Sequence, residues 1–199
     1  MRLLRNLAAI VLLTALAACG INSVPTAEET AKAKWADVQA AFQERANLIP
    51  NLAEVARSAA ENEKEILTGV VEARAKATSI QLNADDLTDP AKMAQFQAAQ
   101  AQLSSSLAGF GRLLANFERY PELKSIQNYQ MLQSQLEGQE NRIRITIRDY
   151  NEAVRAYNTE VRTFPSIIAA KVIYGAKPMV PYQAVTPGAE VAPSLEGKL

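Results

Sequence analysis

Apolar side chains recur at steps of three and four along most of this chain, and that spacing constrains the fold more than any other feature of the sequence. It closes a stripe on one side of an α-helix and does not match the alternation of a half-buried strand. Trp35, Val38, Phe42, Ile49, Leu52, Ala56 and Ala59, then Ile66, Val70, Ala73 and Ala77, predict one long first helix from about Thr26 to Thr78. Thr26 suits its start, and Glu28 and Glu29 suit the positive end of the helix dipole. Pro50 lies inside this run. A proline removes one backbone donor and clashes with the preceding turn, at about 3 kcal/mol in a helix interior, so a kink or restart is expected there. Asn83 to Pro90 reads as a loop, with Asp89 as cap and Pro90 in the first turn of the next helix.

The second helix is expected from about Ala91 to Phe117, turning Met93, Phe96, Leu103, Leu107, Phe110, Leu113, Leu114 and Phe117 inward. Its Gly109-Phe110-Gly111 has no strand ahead of it and lacks the rest of a nucleotide-binding fingerprint, so it reads as packing rather than a phosphate loop. Tyr120-Pro121 breaks the chain. The third helix, about Glu122 to Thr163, carries Tyr129, Leu132, Leu136, Glu140, Ile143, Ile147, Tyr150, Val154, Tyr157, Val161 and Phe164 on one stripe. Ser166 to Tyr174 is long enough for a short fourth helix. No strand pattern competes, so the fold class is all-α: an antiparallel bundle of three long helices plus a short fourth.

The stripes are not uniformly apolar. Arg45, Glu63 and Arg74 fall on the first, Glu140 falls on the third, and Glu118 lies at the end of the second. Buried charges persist only when paired or hydrogen-bonded. These residues therefore form a register-setting polar network, sit at the surface, or line a pocket that binds a ligand or partner. Asn51, beside Pro50, and Asn151 and Asn158, seven apart on one face beside the third stripe, suit the same alternatives.

The two ends of the chain differ from its middle. Arg2 and Arg5 precede an apolar stretch from Leu7 to Leu16 that is too short to span a bilayer, and Leu16-Ala17-Ala18-Cys19 follows the lipobox pattern of bacterial lipoproteins. Residues 1–18 are thus expected to be a cleaved signal, Cys19 to be acylated, and 19–26 to be a tether leading into a helical bundle over 27–174. With Gly20 rather than aspartate after the cysteine, the expected location is the outer membrane, facing the periplasm. Residues 175–199 hold four prolines and three glycines and are expected to form a flexible tail.

Loss of Arg2 and Arg5 leaves 19 basic against 21 acidic residues, which argues against a nucleic-acid partner. The chain has no histidine and a single cysteine, so no metal site and no cofactor are expected, and catalysis would need a serine–lysine or carboxylate arrangement that the spacing does not show. The lone cysteine also excludes an intrachain disulfide framework.

Several blocks resemble the LemA family. Arg45 with Leu48-Ile49-Pro50-Asn51-Leu52 is similar to its "R-x-x-LIPNL" block, and Glu118-Arg119-Tyr120-Pro121-Glu122-Leu123-Lys124 to its "E-x-YP-x-LK" turn. The third helix adds Asn128 to Gln133, Leu136, Glu140, Arg142-Ile143, Arg148, Tyr150-Asn151, Ala153-Val154, Tyr157-Asn158 and Phe164-Pro165. The resemblance spans roughly residues 28–182 and implies a membrane-tethered, all-helical envelope protein without an established enzymatic activity. It also favours counting the segment after Pro165 as a fourth helix. Family members commonly carry a transmembrane helix where this chain has a lipobox, and Glu44 stands where a second basic residue usually precedes the block.

The expected function is a non-catalytic scaffold or interaction protein, held to the membrane by its lipid anchor, with an envelope protein as partner or with self-association. The alternative is a small-molecule or lipid-binding module, with Arg45, Glu118 and Glu140 lining a polar pocket inside the bundle.

Overall fold

The computed structural model of the chain describes residues 21–59, 64–115 and 127–183; the side chains of 55–59, 113–115 and 127–130 lie outside that description. Among the described residues every regular element is helical. They are α1 (Ser23–Ala59), α2 (Lys64–Ser79), a 3-10 turn (Ala84–Thr88), α3 (Pro90–Ala115), α4 (Gln127–Arg162) and α5 (Ser166–Ala169), which continues as a π-turn over Ala170–Tyr174. The all-α expectation holds, whereas the helix count does not: the long first helix expected over 26–78 is two helices.

Chain geometry shows why these must be two. The Arg74 Nε–H donates to the Ala46 carbonyl at 2.7 Å. In a single straight helix those residues would stand ~42 Å apart at ~1.5 Å rise per residue, so α2 folds back along α1. The bond also explains how α1 continues through Pro50, where a kink or a restart was expected: the helix does not restart. Pro50 has no N–H to give the carbonyl four residues earlier, which is that of Ala46, and Arg74 supplies the missing donor from the neighbouring helix.

The start of α1 also differs from expectation. Helix begins at Ser23, so the last four residues of the expected tether form its first turn, and the Thr26 N–H and hydroxyl both donate to the Asn22 carbonyl. Pro25 is tolerated there because first-turn N–H groups have no intrahelical acceptor to lose. The expected Asn83–Pro90 loop contains the 3-10 turn, closed by the Asn83 N–H on Asp86 Oδ2 at 2.9 Å and anchored by buried Leu87.

The chain forms two compact units, each assembled from distant stretches. One comprises residues up to Glu44 together with Asn83–Pro90 and Gly138–Pro181. Here α1 and α4 run antiparallel, since Ser23 meets Glu160, Trp35 meets Tyr150 and Glu44 meets Arg142: as one number rises the other falls. Buried Trp35, Val38 and Phe42 of α1 and Ile143, Tyr150, Val154, Tyr157 and Val161 of α4 supply the core, as their spacing predicts, and Val24, expected in the tether, joins them. Phe164, the last residue of the expected third stripe, is instead exposed, because α4 ends at Arg162 and the turn that follows carries it off the seam.

The other unit comprises Arg45–Leu82, Ala91–Glu137 and the chain from Tyr182. Its core gathers Ile49, Leu52 and Ala53 of α1, Leu67, Val70, Ala73 and Ala77 of α2, Leu103 and Phe110 of α3 and Leu132 of α4. Four helical segments thus share one apolar centre.

The proline account makes a specific prediction. Arg74→Ala strands the Ala46 carbonyl and is expected to cost about 1–3 kcal/mol in urea denaturation. In a Pro50→Ala background, where position 50 regains an N–H, the same substitution is expected to cost clearly less. Equal costs in the two backgrounds would show that Arg74 does not substitute for the proline's missing donor.

Candidate functional site

Arg45 sits one turn before Pro50 on the stripe α1 turns inward, and its side chain is only 1 % exposed. Its Nη1–H donates to Ser104 Oγ at 2.8 Å and its Nη2–H to Gln100 Oε1 at 2.9 Å, both on α3. The Gln100 amide then donates to the Ala77 carbonyl at 3.3 Å. Ala77 lies in the last turn of α2, where carbonyls have run out of intrahelical donors, so Gln100 completes that helix end while also accepting from Arg45. Arg74, half-buried, adds its bond to Ala46. Two arginines expected on the seam are therefore brought together with main-chain carbonyls and α3 side chains in one unit. Sequence reading missed Gln100 and Ser104. The signal was present, since Met93, Phe96, Gln100, Leu103, Leu107 and Phe110 alternate steps of three and four, placing Gln100 on the stripe.

A second constellation lies in the other unit. After Gly175, whose φ of 58° lies in the left-handed region that glycine adopts without strain, the chain leaves the π-turn and runs extended. Three α4 side chains grip this strap by its backbone. The Tyr157 hydroxyl donates to the Lys177 carbonyl at 3.1 Å and the Tyr150 hydroxyl to the Val180 carbonyl at 2.9 Å. Asn158 uses both ends of its amide, donating Nδ2–H to the Met179 carbonyl at 2.9 Å and accepting the Met179 N–H on Oδ1 at 2.8 Å. The Val180 N–H donates to the Leu87 carbonyl at 2.8 Å. Pro178 and Pro181 have no N–H, so both donors available between them are used. Met179 is buried, and Tyr182 is buried against Phe96 in its own unit, edge to face with centroids 6.5 Å apart. The tail expected from 175 onward is thus held down through its first residues, because α4 supplies partners that composition does not reveal; residues 184–199 lie outside the described residues.

The remaining expected residues are placed as follows. Asn158, the strap's clamp, and Asn151 both line an open groove of about 450 Å³, together with Val154, Arg155, Thr159, Arg162, Thr163 and Pro181. Glu140 is half-buried in the unit that contains Asn158, so it does not share a unit with Arg45. Asn51 is exposed. Cys19, Glu63 and Glu118 lie outside the described residues. Glu44, the departure from the family's basic pair, forms an ion pair with Arg142 at 2.7 Å; both side chains are substantially exposed, so it contributes at most about 1 kcal/mol.

Burial pushes the Tyr150 phenol well above its ordinary value of 10.0, and burial also raises that of Tyr157, with Glu28 adding to it. Both rings are neutral below the unfolded value, where their contribution is complete. As pH rises past about 10 the unfolded chain ionises first, and stability is lost toward the folded values. Thermal midpoints are expected to fall above about pH 10, and the fall to be shallower in Tyr150→Phe, which has no phenol there to ionise. An unchanged alkaline slope in that variant would remove Tyr150 as its cause. Asn158→Ala is expected to speed hydrogen exchange at the Met179 and Val180 amides while leaving the middle of α2 unaffected.

Comparison with known proteins completes the description. The LemA family model matches residues 34–196. Magnetosome proteins MamQ 2 and MamQ 1 of Paramagnetospirillum magneticum are each 25 % identical over 158 residues, covering 72 % of this chain and 58 % of theirs. Protein LemA of Metamycoplasma hominis is 30 % identical over 102 residues, covering 51 % of this chain and 41 % of its own. The match therefore spans between 41 % and 58 % of the length of these curated relatives. With the family model covering most of the sequence, including Arg45, Pro50, Arg74, Asn158 and the strap, this chain belongs to the LemA family.

Proposed function

We propose that this chain is a membrane-associated, non-catalytic envelope protein, lipid-anchored through Cys19 at the outer membrane, whose helical units serve as an interaction module. The observation that carries this reading is where the inward polar groups are spent. Arg45 is engaged by Gln100 and Ser104, Arg74 by the Ala46 carbonyl, and Asn158 by the Met179 backbone. These groups fasten helices and strap together, as register-setting polar residues do, and the Arg45 side chain is closed off from solvent.

Polar groups open to a partner lie instead along the groove on α4, where Arg155 and Arg162 project beside Thr159 and Pro181. Exposed cations seven residues apart on one helix face suit an acidic segment of an envelope protein. A photo-crosslinking residue at Thr159, in cells, is expected to give a discrete protein adduct. Arg155→Glu is expected to abolish that adduct without changing the thermal midpoint, and Cys19→Ala to reduce it by releasing the protein from the membrane. An adduct that survives the charge reversal, or no adduct from any groove position, rules out the groove as the interaction surface.

A further inference from the structure

The segment that closes α4 inverts the usual distribution of side chains. α5, its π-turn and the turn before them bury small residues, Ser166, Ala169 and Ala170, and expose large apolar ones: Phe164 at 79 %, Val172 at 78 %, and Ile168, Ile173 and Tyr174 as well. Phe164 lies in the turn just before α5, Ile168 in α5, and Val172, Ile173 and Tyr174 in the π-turn, so five exposed apolar side chains fall within eleven residues. Large apolar side chains concentrated and exposed in one short segment mark a surface that something covers.

Charge and chain path point to the same occupant. From Val161 to Gln183 there is no acidic residue, while Arg162, Lys171 and Lys177 are present and exposed, in a chain whose acidic and basic totals are otherwise balanced. Apolar side chains rimmed by Lys and Arg are what an anionic bilayer surface selects. The Ser23 hydroxyl donates to Glu160 Oε2 at 2.7 Å, so the start of α1 lies at the same end of α4 as the patch. Only three residues lie between Cys19 and Ser23, four steps that reach at most ~14 Å at ~3.5 Å per residue.

We propose that the apolar segment from Phe164 to Tyr174, through Phe164, Ile168, Val172, Ile173 and Tyr174, docks into the surface of an anionic bilayer beside the lipid anchor. The patch and the anchor together make a two-point attachment that fixes how the α1–α4 unit stands on the membrane. The inference builds on the anchored reading of Cys19, and its test separates the two.

Full-length protein carrying a nitroxide at Ile168→Cys, or at Arg144→Cys on the same helical unit ~27 Å down α4 at ~1.5 Å per residue, is reconstituted in phosphatidylglycerol–phosphatidylethanolamine vesicles. Accessibility to a water-soluble nickel complex and to oxygen is read by electron paramagnetic resonance, and intact mass reports acylation of Cys19 independently. The expected result is several-fold lower nickel access and higher oxygen access at 168 than at 144, lost on Phe164→Ser with Val172→Ser at unchanged helical circular dichroism. An acylated chain with equal nickel access at both positions overturns the docking while the anchor stands. An unacylated chain still protected at 168 by vesicles supports the docking while the anchor falls. Short label-to-label distances at 168 assign the patch to a second copy, and protection lost on deleting residues 184–199 assigns it to the chain's own end; either overturns the proposal.

Discussion

A proline within a helix leaves one carbonyl without its donor, and the unit built around Pro50 is organised by how that vacancy is filled. The donor comes from Arg74, so α2 must return alongside α1 at the level of Ala46. That return brings Val70, Ala73 and Ala77 against Ile49 and Leu52 and sets the height at which α3 must pass to close the core. Arg45, one residue before Ala46, lies at the same level and finds its partners on α3. The proline and the two arginines are therefore one arrangement: the backbone defect and the buried charge are compensated at the same layer of the unit.

The same principle recurs elsewhere with different chemistry. Gln100 completes the end of α2 at Ala77, and Tyr150, Tyr157 and Asn158 complete the backbone of the strap. In each case a side chain on a regular helix supplies a bond that regular structure alone leaves unmade. This explains why polar residues sit at positions where an apolar residue would fill space as well. A buried main-chain group without a partner costs about 1–3 kcal/mol, enough to favour a polar side chain over a better-packed one.

Much of the architecture was legible because helix periodicity is a local property. Trp35, Val38, Phe42, Phe96, Leu103, Tyr150, Val154 and Tyr157 are buried where their spacing puts them, and Arg45 is inside as its place on the stripe requires. What escaped was non-local. Between the residues that form α1 and those that form α2 the stripe continues in phase, from Ala59 through Glu63 to Ile66, so two helices read as one. Pro50 read as a kink or a restart because the donor that lets the helix continue lies 24 residues further on, at Arg74. The strap read as a free tail because its prolines and glycine describe what the backbone cannot do alone, while the groups that hold it lie 20, 21 and 30 residues upstream. Of the candidate site, the arginines and Asn158 were identified by type, but their tasks became visible only with their acceptors.

The strap is recognised by its main chain. α4 touches the carbonyls of Lys177, Met179 and Val180 and the N–H of Met179, and none of those bonds reads a side chain of the strap itself. Information about this segment is therefore stored on the opposite partner, in two phenols and one amide. Lys177 and Val180 are free to drift in sequence without altering the path they follow, whereas a change at Asn158 rewrites the path without touching a letter of the strap.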